Sequence, residues 1–118
     1  MPIPPLILAS SSPRRLALLR RAGIEPARLE APQTDEAAVP REQPRAHALR
    51  LAHAKCAAIT ARLGEEPAFV VAADTVVACG RRILPKTTLA ADAERCLRLL
   101  SGRRHRVYTG VVVSAPQG

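Results

Sequence analysis

The chain has 118 residues, 47% of them hydrophobic and 24% charged, which fits one globular domain and excludes both a disordered chain and two ordinary domains. A formal charge of +8 points to a polyanionic partner such as nucleic acid, nucleotide or phosphate, although arginines scattered over solvated faces would give the same balance. No apolar run approaches the ~20 residues of a membrane span, and the first residues lack the basic start of a signal peptide, so a soluble, cytoplasmic protein without membrane association is expected.

Pro5-Leu6-Ile7-Leu8-Ala9 is a short apolar run that predicts a buried strand. Ser12 as N-cap, Pro13 at the first helical position and Gly23 past the end frame a helix. Residues 31–43 are rich in proline and acid, show no periodicity, and predict a loop. From 44 to 63, Leu49, Ala52, Cys56, Ile59 and Leu63 recur at steps of three and four. That spacing is one face of a long amphipathic helix, which Gly64 ends. Residues 69–73 form a continuous apolar run after Pro67, hence a buried strand, which residues 75–79 extend or re-enter. Gly80-Arg81 reads as a turn, with Arg82-Ile83-Leu84 pairing back as a hairpin. A third helix is predicted over 90–100, with Asp92 and Glu94 in its first half and Ser101-Gly102 at its stop. Residues 107–114 predict a last strand, followed by a turn at Pro116-Gln117-Gly118. Strands alternating with helices give an α/β fold in a single domain, 1–118.

Cys56, Cys79 and Cys96 are odd in number and have no metal-clip spacing, which fits a reducing compartment. His47, His53 and His105 form no HxxxH or HxH pair and read as surface or packing residues. Phe69 and Tyr108 are the only aromatics, too few for a base-stacking platform, so nucleic acid is disfavoured as a partner.

Three features carry chemistry. Ser10-Ser11-Ser12-Pro13-Arg14-Arg15 joins a strand to a helix start, where open backbone N–H groups, hydroxyls and guanidiniums make an anion site. An ordinary N-cap followed by a basic surface turn is the plainer alternative. Two arginines at a helix N-terminus oppose the macrodipole unless an anion compensates. Asp74 follows five apolar residues at the expected carboxyl end of a buried strand, where open α/β sheets place ligands and a carboxylate needs a partner, a metal or water. A capping Asp in a tight turn is the alternative there. Asp35-Glu36 would supply further carboxylates, though an acidic pair in a loop is more often solvated. Finally, eighteen basic residues include only two lysines, Lys55 and Lys86. A compact ammonium sits among phosphate oxygens where a guanidinium fork does not fit; snorkelling is the alternative for Lys55.

Taken in order, Leu8-Ala9-Ser10-Ser11-Ser12-Pro13-Arg14-Arg15, Asp35-Glu36, Arg50-Leu51-Ala52 with Lys55, Ala72-Ala73-Asp74-Thr75-Val76-Val77, Ile83-Leu84 with Lys86, Leu100-Ser101-Gly102 with His105, and Thr109-Gly110-Val111 resemble the Maf family of nucleoside triphosphate pyrophosphatases, also called septum-formation inhibitors. The resemblance covers nearly the whole chain. It implies a mixed, strongly twisted sheet flanked by helices, like that of inosine triphosphatase. It also implies hydrolysis of a nucleoside triphosphate to monophosphate and pyrophosphate with one divalent metal, Mg²⁺ or Mn²⁺. Asp74 would be the catalytic base, with Glu36, Lys55 and Lys86 in the site and Asp74 and Glu36 on the metal. Ser10, Ser11, Ser12, Arg14, Arg15 and Thr75 would bind substrate, Arg14 and Thr75 matching positions linked to substrate choice. The Pro-Arg-Arg and Asp-Thr pairings resemble the dTTP/UTP branch rather than the 7-methyl-GTP branch.

Two departures stand out. Pro85-Lys86-Thr87 replaces the family's usual Gly-Lys-Pro. Family members are also longer and carry later Lys-Ala-Gly and Ile-Gln-Gly stretches absent here, so an incomplete C-terminal lobe, weak activity and edge-to-edge pairing, including a homodimer, are expected. The rival readings are a non-catalytic regulator of septum formation and a basic nucleic-acid-binding domain. On sequence grounds, Asp74→Asn should leave folding unharmed or improved, since it removes a buried charge.

Overall fold

A computed structural model describes residues 3–35, 37, 39–79, 82–83 and 106–116. The helix predicted over 90–100, the turns at 80–81 and 117–118, and Glu36, Lys86 and His105 lie outside the described residues.

A mixed five-stranded sheet carries the fold. Strand β1 (Leu6–Ala9) lies parallel to both β2 (Arg28–Leu29) and β3 (Phe69–Cys79). The opposite edge of β3 pairs antiparallel with β5 (Arg106–Ser114), from Val70 opposite Ser114 to Ala78 opposite Arg106. Beyond the end of β1, β4 (Arg82–Ile83) pairs antiparallel with Ala78 and Cys79, as the hairpin reading requires. The α/β expectation therefore holds. The two-residue β2 was not foreseen, because it is too short to show any period.

One expectation about β3 is corrected. Residues 69–79 form a single uninterrupted strand, so Asp74 lies in mid-strand rather than at a carboxyl end. The β1–β3 ladder stops at Ala9 opposite Ala72. Asp74 thus stands two residues beyond the carboxyl end of the neighbouring strand, which keeps it at the mouth of the parallel part of the sheet.

Alternation along β3 sorts its side chains between two faces. Val70, Ala72, Asp74, Val76 and Ala78 are buried on the face covered by helix α2 (Pro44–Leu63). The core there joins Ile7, Ala9, Cys56, Ile59, Val70 and Ala72, with Leu63 and Val112 packed against it. Ile7, Leu51 and Ile59 are fully buried, each contributing about 1.5–3 kcal/mol by leaving water. The buried stripe of α2 runs through Ala48, Leu51, Ala52, Cys56 and Ile59. Leu49, predicted to belong to it, is 43% exposed. Gly64, at φ 60°, ends the helix, because its left-handed backbone suits glycine.

Helix α1 (Pro13–Arg21) follows β1 and lies over the other face. Ser12 caps it by accepting a bond from the Arg15 N–H at 3.4 Å, and Pro13 opens its first turn. Val107, Val111 and Val113 remain exposed on that same face.

At the entrance to α2, Glu42 and His47 are nearly buried, their side chains 6% and 5% exposed. Glu42 meets His47 Nδ1 at 2.6 Å and Arg50 Nε at 2.6 Å. The Arg50 hydrogen bonds hold the Glu42 carboxyl down to about 2, helped by His47 and the Val39 N–H, while burial pulls the other way. Since this folded value lies below the ordinary 4.5, the pair stabilises the fold fully above that ordinary value and loses its contribution as pH falls toward 2. Thermal unfolding between pH 5 and pH 2 is expected to show a smaller fall in midpoint for Glu42→Gln than for the native chain. Equal falls would remove Glu42 from the acid response.

Candidate active site

The junction from β1 to α1 is organised by its own serines. The Ser12 N–H donates to Ser10 Oγ at 3.0 Å, and buried Ser10 also accepts a bond from Arg15 Nη1 at 3.3 Å. The segment's extended residues and cap thus set the loop before any ligand arrives. Beside it opens a cleft of about 680 Å³, lined by Ser10, Ser11, Ser12, Arg15, residues 31–34 of the loop and Lys55.

On the α2 side, Lys55 Nζ lies 2.8 Å from Asp74 Oδ1, with the lysine side chain 12% exposed and the aspartate 0%. Lys55 is therefore no snorkelling residue. Helix and strand place its ammonium between a buried carboxylate and the cleft, where it neutralises the one and faces the other. In so little water the two charges attract strongly but have both given up hydration, so removing either partner alone is costly.

Arg15 reaches through the junction to the opposite face. Its Nη2 donates to Thr75 Oγ1 at 3.1 Å, and the Thr75 and Thr109 hydroxyls lie 3.0 Å apart. Thr75, Thr109, Arg14 and Arg15 border a second, more apolar groove of about 530 Å³ with Leu18 and Val111. The structure therefore brings Ser10, Ser11, Ser12, Arg15 and Lys55 together in one cleft, with Asp74 beneath the lysine. Arg14 and Thr75 lie on the other face and join the first group through Arg15. Asp35 is exposed and accepts a bond from the Ala37 N–H at 3.0 Å; Glu36 and Lys86 are outside the described residues.

Sequence reasoning gave no role to three features here, although Thr109, Gly110 and Arg50 stand in segments that carry the family resemblance. Thr109 would have followed from pairing 107–114 against 69–79, which puts it opposite Thr75. Gly110, inside a strand, carried the usual signal of a close backbone approach. A Cβ there would stand 2.8 Å from Leu49 Cα and N. The Glu42–His47–Arg50 cluster had only a weak signal, an acid before a helix with two basic residues three apart.

The described residues thus combine an α/β sheet, a strand–helix junction lined by serines and Arg15, and a buried lysine–carboxylate pair beside it. Residues 5–118 match the family of Maf-like proteins, and the chain belongs to that family. It is 57% identical over 117 residues to a dTTP/UTP pyrophosphatase of Chelativorans sp. (strain BNC1), covering 96% of this chain and 56% of that protein. It is 56% identical to a dTTP/UTP pyrophosphatase of Rhodopseudomonas palustris (strain HaA2), covering 98% and 58%. A nucleoside triphosphate pyrophosphatase of Ehrlichia canis (strain Jake) is 50% identical, covering 96% and 58%. The chain thus spans little more than half the length of these curated relatives.

Whether the residues suit a divalent cation can be judged from their donors. Among the described residues no group of three His, Cys, Asp or Glu side chains gathers to hold a metal. What the described residues bring there is hard oxygen, from the serine hydroxyls on the cleft lining and from the Asp74 carboxylate buried behind Lys55. That set suits Mg²⁺ or Mn²⁺, which keep water and substrate phosphates as most of their ligands and need only one or two protein carboxylates. No helix among the described residues is long and apolar enough to cross a membrane.

Proposed function

We propose that this protein hydrolyses a pyrimidine nucleoside triphosphate, dTTP or UTP, in the cytoplasm, to the monophosphate and pyrophosphate. The observation that carries the reading is the Lys55–Asp74 pair at 2.8 Å beside a cleft bordered by Ser10, Ser11, Ser12 and Arg15. Relatives at 50–57% identity that are named for this chemistry support it.

In this reading the triphosphate lies along the Ser10–Ser12 loop against the N-terminus of α1. The helix dipole, Arg15 and Lys55 offset its charge there. Asp74 accepts a proton from a water molecule as its oxygen attacks the α-phosphorus. The bond from that phosphorus to the bridging oxygen breaks, and pyrophosphate leaves with the electron pair, its charge met by the lysine and arginine. Asp74 and Glu36 would hold a divalent metal, which supplies Lewis-acid stabilisation of phosphate oxygens when bound. Lys86 would add a second ammonium. Arg14 and Thr75, on the groove side of Arg15, would discriminate among bases.

Pyrophosphate release from a panel of triphosphates with and without Mg²⁺ tests this. dTTP and UTP are expected to exceed GTP and 7-methyl-GTP in kcat/KM. A preference for 7-methyl-GTP would overturn the pyrimidine assignment, and release of orthophosphate alone would overturn the reaction.

A further inference from the structure

Away from the cleft, the side chains of a glutamate, a histidine and an arginine meet where the chain enters α2. Glu42 Oε1 lies 2.6 Å from His47 Nδ1, and Glu42 Oε2 accepts Arg50 Nε at 2.6 Å. Arg50 Nη2 reaches Glu42 Oε1 at 3.1 Å and also donates to the Ala37 carbonyl at 2.8 Å. The Val39 N–H donates to Glu42 Oε1 at 3.4 Å. Arg41, the residue before Glu42, holds a left-handed φ of 65°, a conformation that non-glycine residues adopt only when surrounding contacts fix it.

Burying a carboxylate and an imidazole against a part-exposed guanidinium is a poor way to stabilise a helix start, since apolar residues of similar volume serve as well or better. What these three do achieve is a cross-tie. Arg50 belongs to the second turn of α2 and binds both Ala37 and Glu42, so successive points of the β2–α2 connection are fastened to the helix. The other end of that connection is fixed to β1, where the Glu30 N–H donates to the Leu8 carbonyl at 3.0 Å. Between these anchors residues 31–34 line the cleft from the loop, and Lys55, five residues after Arg50, lines it from α2.

From this geometry we infer that Glu42 and Arg50, with His47, are positioning residues that set the distance between the loop and α2 linings of the cleft and so the site's grip on a polyphosphate. The inference rests on the reading of the cleft as a triphosphate site. Neither residue touches the reacting atoms. Their loss therefore weakens binding more than it slows the bound substrate.

The test uses the full-length protein and two variants. Glu42→Gln removes the charge. Arg50→Lys keeps the charge and its attraction to Glu42 but lacks the planar fork that also reaches Ala37, so it remains folded if Glu42→Gln does not. Inorganic triphosphate binding is measured by calorimetry and dTTP turnover by pyrophosphate release, both well below each variant's unfolding temperature. Affinity for inorganic triphosphate and KM for dTTP are expected to worsen about tenfold in both variants, with kcat within about threefold of native. Arg50→Lys with native affinity and native KM overturns the inference, leaving a merely structural cluster, while triphosphate binding by the native protein keeps the cleft reading intact. No binding by the native protein overturns the cleft reading itself and the inference with it.

Discussion

Asp74→Asn is expected to lower turnover at least ~100-fold, the low end of what a positioned acid or base contributes, and also to destabilise the protein. The second effect reverses what the sequence alone suggests. Seen in the fold, Asp74 does not stand as a lone buried charge, because Lys55 Nζ lies 2.8 Å from it under the same helix. Removing the carboxylate takes from that ammonium the counter-charge 2.8 Å away, in a place with little water. The loss is about 3 kcal/mol, the low end of the range for breaking a buried pair, since Lys55 keeps some contact with solvent. Asp74→Asn with Lys55→Met removes both charges and is expected to recover most of that stability, as apolar replacement of a whole buried pair usually does. Turnover stays low in the double variant. Thermal unfolding and pyrophosphate release on the three proteins separate the two roles, and a fully active single variant would end the assignment of Asp74.

Gly110→Ala is the second substitution expected to do most harm. Gly110 is buried and lies opposite Asp74 in the β3–β5 ladder. A Cβ at 110 would sit 2.8 Å from Leu49 Cα and N and 2.9 Å from Ala48 C. These are backbone atoms of α2, so no side chain can rotate away and the whole helix must lift. Overpacking of this kind costs about 1–3 kcal/mol, which lowers the unfolding midpoint by roughly 5–15 °C in a domain of this size. The same displacement pulls Lys55 from Asp74, so activity falls even at temperatures where the variant is fully folded. An unfolding midpoint and turnover both equal to native would show that α2 does not rest on Gly110.

These two cases show where the sequence was legible. Ser12, Pro13 and Gly23 mark α1, and Gly64 marks the end of α2, because caps and stops act through bonds within a few residues. The apolar runs mark β1, β3 and β5 for the same local reason. Leu49 was misassigned because a step of three from Leu49 and a step of four from Ala48 both reach Ala52. Only the packing against β5 decides between them. The 19-residue separation of Lys55 and Asp74 has no sequence signature. Their pairing comes from a parallel β1–β3 ladder that sets α2 across the strand. Asp74 was recognised as a charge in an apolar run, yet its partner could be named only from the fold. Glu42, His47 and Arg50 were obscure for a related reason. Their bonds cross from an aperiodic loop to a helix, and charged residues at a helix start usually remain in water.

The most direct test of the account is the hydrolysis of dTTP by the full-length protein in ¹⁸O-labelled water, with the products resolved by mass and by phosphorus resonance. Attack of water on the α-phosphorus, with Asp74 taking the proton, predicts one ¹⁸O in the nucleoside monophosphate and none in the pyrophosphate. Label in the pyrophosphate, or a nucleoside diphosphate with labelled orthophosphate, would contradict it, because either result puts the attack on a phosphorus other than the one this cleft is proposed to present to Asp74.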